Sequence, residues 1–253
     1  MARNQRAAAR TLSIAALVIT AAVIATTASA INPSDWDRDD AKAHEAYLAA
    51  GGSATQRCLG KVVTISSTAE LVQGTSGNDV IVSRYYNAQV NGGDGDDIIC
   101  AYNLDVDIYG GNGNDVIWAD GNANQRLMGS GGNDVLFGLQ SSPGHSQYFN
   151  GGTGTDKFYG SRAADQMFGH DGNDSFYAGY GNDILNGGNG NDTVRGQDGD
   201  DSIDGDAGTD ILCGGAGANR FYVDVNGEDV DFNQGDVVIY RNGATRYDDV
   251  PSC

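Results

Sequence analysis

Large apolar residues return at every ninth position between Phe176 and Phe221: Phe176, Leu185, Val194, Ile203, Leu212 and Phe221. The five polar positions ahead of them are just as regular. Gly stands at the fourth place of each nine-residue unit from Gly169 to Cys213, Asp at the sixth and the apolar residue at the eighth, as in Gly169-His-Asp-Gly-Asn-Asp-Ser-Phe-Tyr177. The glycine-rich part of a unit predicts a tight turn with its carbonyls pointing inward. The last three residues predict a short strand whose eighth residue faces a core. One unit cannot bury that residue alone, so the coils must stack.

Upstream the same code recurs at wider spacing. Turns beginning at Gly74, Gly92 and Gly110 are 18 residues apart; Gly129 follows after 19, Gly151 after 22 and Gly169 after 18. Between them lie units without the Gly and Asp code that keep an apolar eighth residue: Val90, Ile108, Leu127, Phe149 and Met167. One full coil therefore uses two units, and turns 18 apart share an edge of a flattened roll. The first edge carries the turns starting at 74, 92, 110, 129, 151, 169, 187 and 205, and the second those at 178, 196 and 214. The spacings of 19 and 22 place bulges near residues 119–128 and 138–150.

Composition adds a constraint. The chain of 253 residues has 38 Gly, 34 acidic and 15 basic residues, for a formal charge of −19. That charge argues against a nucleic-acid partner, which requires the opposite sign. It would ordinarily favour disorder, unless cations neutralise the carboxylates. Carbonyls and carboxylates converging at each turn are hard oxygen ligands, which suit calcium.

On these residues the chain resembles the RTX, or haemolysin-type, calcium-binding repeat family, whose nonapeptide the units reproduce. The resemblance covers roughly residues 65–222 and implies an all-β fold, a parallel β-roll (β-solenoid) of stacked nonapeptide repeats. It implies calcium ligation by Asp79, Asp97, Asp115, Asp134, Asp156, Asp174, Asp183, Asp192, Asp201 and Asp210. With one ion between neighbouring turns of an edge, about seven ions belong to the first edge and about two to the second. Asn219 stands where an Asp is expected and predicts a weaker site.

The ends read differently. Residues 1–30 have the pattern of a secretory signal peptide: Arg3, Arg6 and Arg10, an apolar run from Leu12 to Ala25, and Ala28-Ser29-Ala30 at the cleavage point. The run is shorter than the roughly 20 residues of a membrane span. Residues 31–64 form a leader or cap with a short helix over Ser34–Ala50, which Gly51-Gly52 ends. Val72 is the inward residue of an imperfect first coil. Residues 223–253 form a C-terminal cap, with a strand or hairpin near Asp236–Tyr240. Four cysteines fit an oxidising compartment and permit three pairings. Cys100 and Cys213 occupy ninth positions near opposite ends of the roll, which favours Cys58–Cys100 and Cys213–Cys253.

Catalytic material is sparse. Neither H-E-x-x-H nor G-x-S-x-G occurs, and the three His residues are scattered. The expectation is a secreted, monomeric, non-enzymatic calcium-binding protein with a structural or adhesive role, extracellular polysaccharide being a candidate partner. The alternative is a polysaccharide-active enzyme using the roll's groove, for which Lys157 and Arg195 are the basic residues to consider. Tyr109, Phe137, Tyr159 and Tyr177 are expected to form an aromatic ladder on one outer face.

Overall fold

The structure is a computed structural model that describes residues 57–223, apart from 60, 103–104, 122–123 and 139–143. It also describes the backbone strands Asp229–Asp231 and Val237–Tyr240. The expected signal peptide, the helix over residues 34–50 and Cys253 lie outside the described residues.

Successive strands alternate between two ten-stranded parallel sheets, so hydrogen-bonded neighbours are always one coil apart in sequence. Sheet I begins with Ile65–Ser67, Val80–Ser83 and Ile98–Ala101. Sheet II begins with Leu71–Gln73, Ala88–Asp94 and Val106–Asn112. The first edge carries the turns from sheet II to sheet I, and the second edge those from sheet I to sheet II. Among the described residues there is no helix. A two-stranded antiparallel pair, Arg57–Cys58 with Lys61–Val62, precedes the roll.

Register puts equivalent positions of the repeat side by side: Ile81 faces Ile99, Ile99 faces Ile117, and Val194 faces Leu212. The eighth residues therefore form two inward ladders that close on each other as one core, with Val72, Ile81, Val90, Leu136, Phe158, Leu185 and Phe221 all buried. Such a core is a stack of layers, each stabilised by the next coil rather than by distant parts of the chain. Phe158 and Phe176 stack at 4.6 Å, and Phe149 meets Phe158 edge-on at 6.4 Å. Strand pairing absorbs the irregular spacings outside the strands. Gln125 pairs with both Val106 and Gln147, so the extra residues leave the roll at the second edge.

Of the strand or hairpin expected near residues 236–240, the strand is present: Asp229–Asp231 and Val237–Tyr240 pair in parallel and extend sheets I and II. The terminal strands of both sheets offer unpaired backbone groups, and a further parallel coil satisfies them. The expected aromatic ladder is divided. Trp118, Phe137, Tyr159 and Tyr177 run along sheet I at 5.8, 4.8 and 5.1 Å, whereas Tyr109 lies on sheet II. Tyr109 is a ninth residue of an uncoded unit, half a coil out of phase with the others.

Most of that ladder is buried despite its outward positions. Val82, Cys100, Trp118 and Phe137 form a second apolar cluster with Cys58 and Leu59. The Cys58–Cys100 disulfide fastens the antiparallel pair to this face, with Cα atoms 5.8 Å apart. Cys213 is also disulfide-bonded.

Candidate metal centre

The turn from Gly92 to Asp97 shows how the repeat builds a site. Gly93 and Gly95 have φ of 115° and 105°, a region that side chains rarely occupy. Their left-handed backbone folds the turn back, so Asp97 enters sheet I with its carboxylate directed into the edge. A Cβ on Gly92 would collide with Asp97 Oδ2 and with the carbonyl oxygen of Gly110 in the next coil. Glycine at the first position thus leaves a space where a carboxylate oxygen and a main-chain carbonyl converge. The same convergence recurs at Gly110, Gly129, Gly169, Gly187 and Gly196.

Each Asp uses its two oxygens differently. Along the first edge the Asp79 amide donates to Asp97 Oδ1, Asp97 to Asp115, Asp115 to Asp134 and Asp134 to Asp156, at 2.7–2.8 Å. Asp156, Asp174 and Asp192 continue the chain to Asp174, Asp192 and Asp210 at 2.7–2.8 Å. On the second edge the ladder runs from Gln147 through Asp165, Asp183 and Asp201 to Asn219 at 2.7–2.9 Å. A parallel outer ladder at the fifth position points the other way: the Asp96 amide donates to Asn78 Oδ1, and the Asn114 amide to Asp96 Oδ1. Each turn is held by both of its neighbours.

The other oxygen has a different fate. Oδ2 of Asp97, Asp115, Asp134, Asp156, Asp174, Asp183, Asp192 and Asp201 is buried with no hydrogen-bond partner in the protein. An isolated carboxylate in that setting is costly to ionise. Burial pushes Asp115 and Asp174 up to about 7, and Asp134 and Asp183 to about 8. The amide from the neighbouring coil offsets part of that rise, while flanking carboxylates add to it. Asp97, Asp156, Asp192 and Asp201 are raised to about 6, again chiefly by burial. A row of such oxygens beside main-chain carbonyls fits a hard cation with oxygen ligands. Among the described residues no group of three or more His, Cys, Asp or Glu side chains is arranged to hold a metal ion by itself.

Comparison with protein families decides the kinship. The model of the RTX calcium-binding nonapeptide repeat matches residues 66–102, 107–141 and 150–221 in overlapping segments, more than half of the chain. The chain belongs to this family. No curated protein matches it as a relative.

Within this RTX roll the second edge departs from expectation at one turn. Asp165, which is not among the ligands expected from the repeats, stands in the ladder between Gln147 and Asp183. Its signal was present: Gly160, Asp165 and Met167 hold the first, sixth and eighth places, though Ala163 replaces the usual fourth-place Gly. Asn219 Oδ1 accepts from the Asp201 amide, which turns its Nδ2 toward the place where the other turns carry Oδ2. A donor there cannot ligate a cation. Among the described residues no helix is long and apolar enough to cross a membrane.

His170 is exposed and lies 2.7 Å from Asn150 Nδ2 in a shallow polar groove of about 510 Å³ on sheet II. Ser130, Asp171, Asn186 and Asp206 also line it. Lys157 and Arg195, the basic residues considered for an enzyme, belong to sheet I instead, with Arg195 lying 5.1 Å over the Tyr177 ring.

Proposed function

We propose that this protein is secreted, binds about nine calcium ions along the two edges of the roll, and uses them to become a rigid extracellular structural or adhesive element. The carrying observation is the row of eight buried, unpartnered Oδ2 atoms from Asp97 to Asp201 among the described residues. Six belong to the first edge, where Asp210 extends the ladder by one turn, and two, Asp183 and Asp201, to the second. Calcium, when bound, supplies the positive charge that lets these carboxylates stay ionised inside the protein. The chain's own part is to present one carboxylate and several carbonyls per turn in fixed register. Metal that binds only the folded form stabilises it by mass action, so folding and calcium binding are coupled. The role is structural because the repeats fill nearly the whole roll, and the faces between the edges are regular surfaces suited to contact with extracellular polysaccharide.

Far-UV circular dichroism tests the coupling. On titration of the chain from Ile31 to Cys253 in chelator, calcium is expected to raise β content cooperatively near millimolar free metal, and magnesium is not. Equal responses to the two ions would argue against a calcium-specific site. A spectrum that is already fully β in chelator and unchanged by calcium would remove the coupling.

A further inference from the structure

Two turns depart from the others in the same two ways. Asp79 is the first acidic residue of the first-edge ladder, and Asp165 the first of the second edge. Neither has an unpartnered Oδ2. Asp79 Oδ2 accepts from the Thr75 amide at 2.7 Å and from the Thr75 hydroxyl at 2.8 Å, and Asp79 Oδ1 accepts from the Thr64 hydroxyl at 3.1 Å. Asp165 Oδ2 accepts from the Ser161 amide at 2.8 Å, and its Oδ1 from the Ser161 hydroxyl at 3.2 Å and the Gln147 amide at 2.9 Å.

The backbone differs as well. At the second position of the other coded turns φ is positive, even where the residue is Ser130, His170, Gln197 or Asp206. Thr75 and Ser161 take that second place and are not left-handed. Each hydroxyl instead accepts the amide two residues on, Gly77 at 3.2 Å and Ala163 at 3.0 Å, forming a side-chain turn. That conformation brings the second-position amide onto the carboxylate, where left-handed turns such as those of Asp97 and Asp183 leave Oδ2 unpaired.

We propose that Thr75 and Ser161 are built-in closures of the two cation rows. The first acidic turn of each edge folds without metal, its carboxylate held by a hydroxyl and an amide, and calcium binding begins at Asp97 and at Asp183. The inference rests on the calcium reading above and fixes where the rows start. It also removes Asp79 from the expected ligands.

The test counts bound calcium by native mass spectrometry in the parent chain and in D79N, D165N, D115N and D183N. D79N and D165N are expected to hold as many ions as the parent, and D115N and D183N one fewer each. Loss of an ion in D79N or D165N overturns the proposal. A parent that holds no calcium overturns the calcium reading and this proposal with it. Should an Asn variant fail to fold, amide exchange in the parent at saturating calcium decides: the Thr75 and Ser161 amides, donated to carboxylates, are expected to be protected at least about tenfold. Unprotected amides there would sink the proposal.

Discussion

The two edges of the roll occupy equivalent places in each coil yet solve different problems. On the first edge the sixth position is Asp in every coded turn from Asp79 to Asp210. On the second edge the same position reads Ala88, Val106, Gln125, Gln147, Asp165, Asp183, Asp201 and Asn219. Ala88 and Val106 are buried and join the hydrophobic core, so there the edge is closed by apolar contact. The roll's geometry therefore does not require a carboxylate at this place. A carboxylate replaces apolar packing with a desolvation cost that a cation can offset. The early coils have one edge of each kind, plus the Cys58–Cys100 staple. From Asp174 to Asp210 both edges are acidic.

The largest effect expected from this difference is unequal loss of structure in chelator. Hydrogen exchange should rise first across residues 174–213, while strands from Val80 to Ala119 remain protected. Each cation site removed at 100 times its Kd would cost about 2.7 kcal/mol, and the doubly acidic segment has more candidate sites per coil. Uniform loss of protection along the roll would break the comparison, showing that the apolar edge adds no independence.

The next largest effect concerns pH. Burial raises Asp115, Asp134 and Asp183 to between about 7 and about 8 from 3.8. In chelator the folded chain then binds more protons than the unfolded one, and stability is greatest below about pH 4. It falls as pH rises from about 4 to about 8, by at most roughly 1.4 kcal/mol per carboxylate for each pH step of one. With calcium the slope should reverse, because ligation requires the ionised carboxylate and releases protons. Thermal midpoints across that range, with and without calcium, test the crossing. A midpoint in chelator that rises with pH would mean that the carboxylates are solvated.

The smallest effect is a local exchange of edge type. Val106→Asp places a carboxylate at the sixth position of a second-edge unit whose turn, Ala101 to Asp105, lacks the glycine code. It should cost about 3 kcal/mol, from lost packing and an uncompensated buried polar group. Calcium should not restore it in chemical denaturation. Rescue by calcium would show that the glycine turn is dispensable for a site.

Much of this architecture is legible in the chain. A nine-residue period with glycine, Asp and an apolar residue at fixed places leaves few backbone paths. Ile81, Val90, Leu185 and Leu212 consequently fall in the core as their spacing implies. The Asp ladder follows from the same period, because equal spacing puts equal residues side by side. Asp165 is harder to see because Ser161 and Ala163 weaken the code around it. Tyr109 falls out of phase with the expected ladder because uncoded units alternate between sheets with coded ones.

By itself, then, the sequence determined the repeat, the inward ladders and the one-carboxylate-per-turn chemistry, since these depend on contacts between neighbouring coils. Only the tertiary structure decided which carboxylate oxygens are satisfied. Asp79 and Asp97 sit in nearly identical motifs, but Thr75 turns back onto the first while left-handed Gly93 leaves Oδ2 of the second unpaired. It also decided that outward residues such as Trp118 and Phe137 are buried. Period fixes direction relative to the sheet, but burial depends on what lies over the sheet, and that contact comes from sequence-distant parts of the chain such as Cys58 and Leu59.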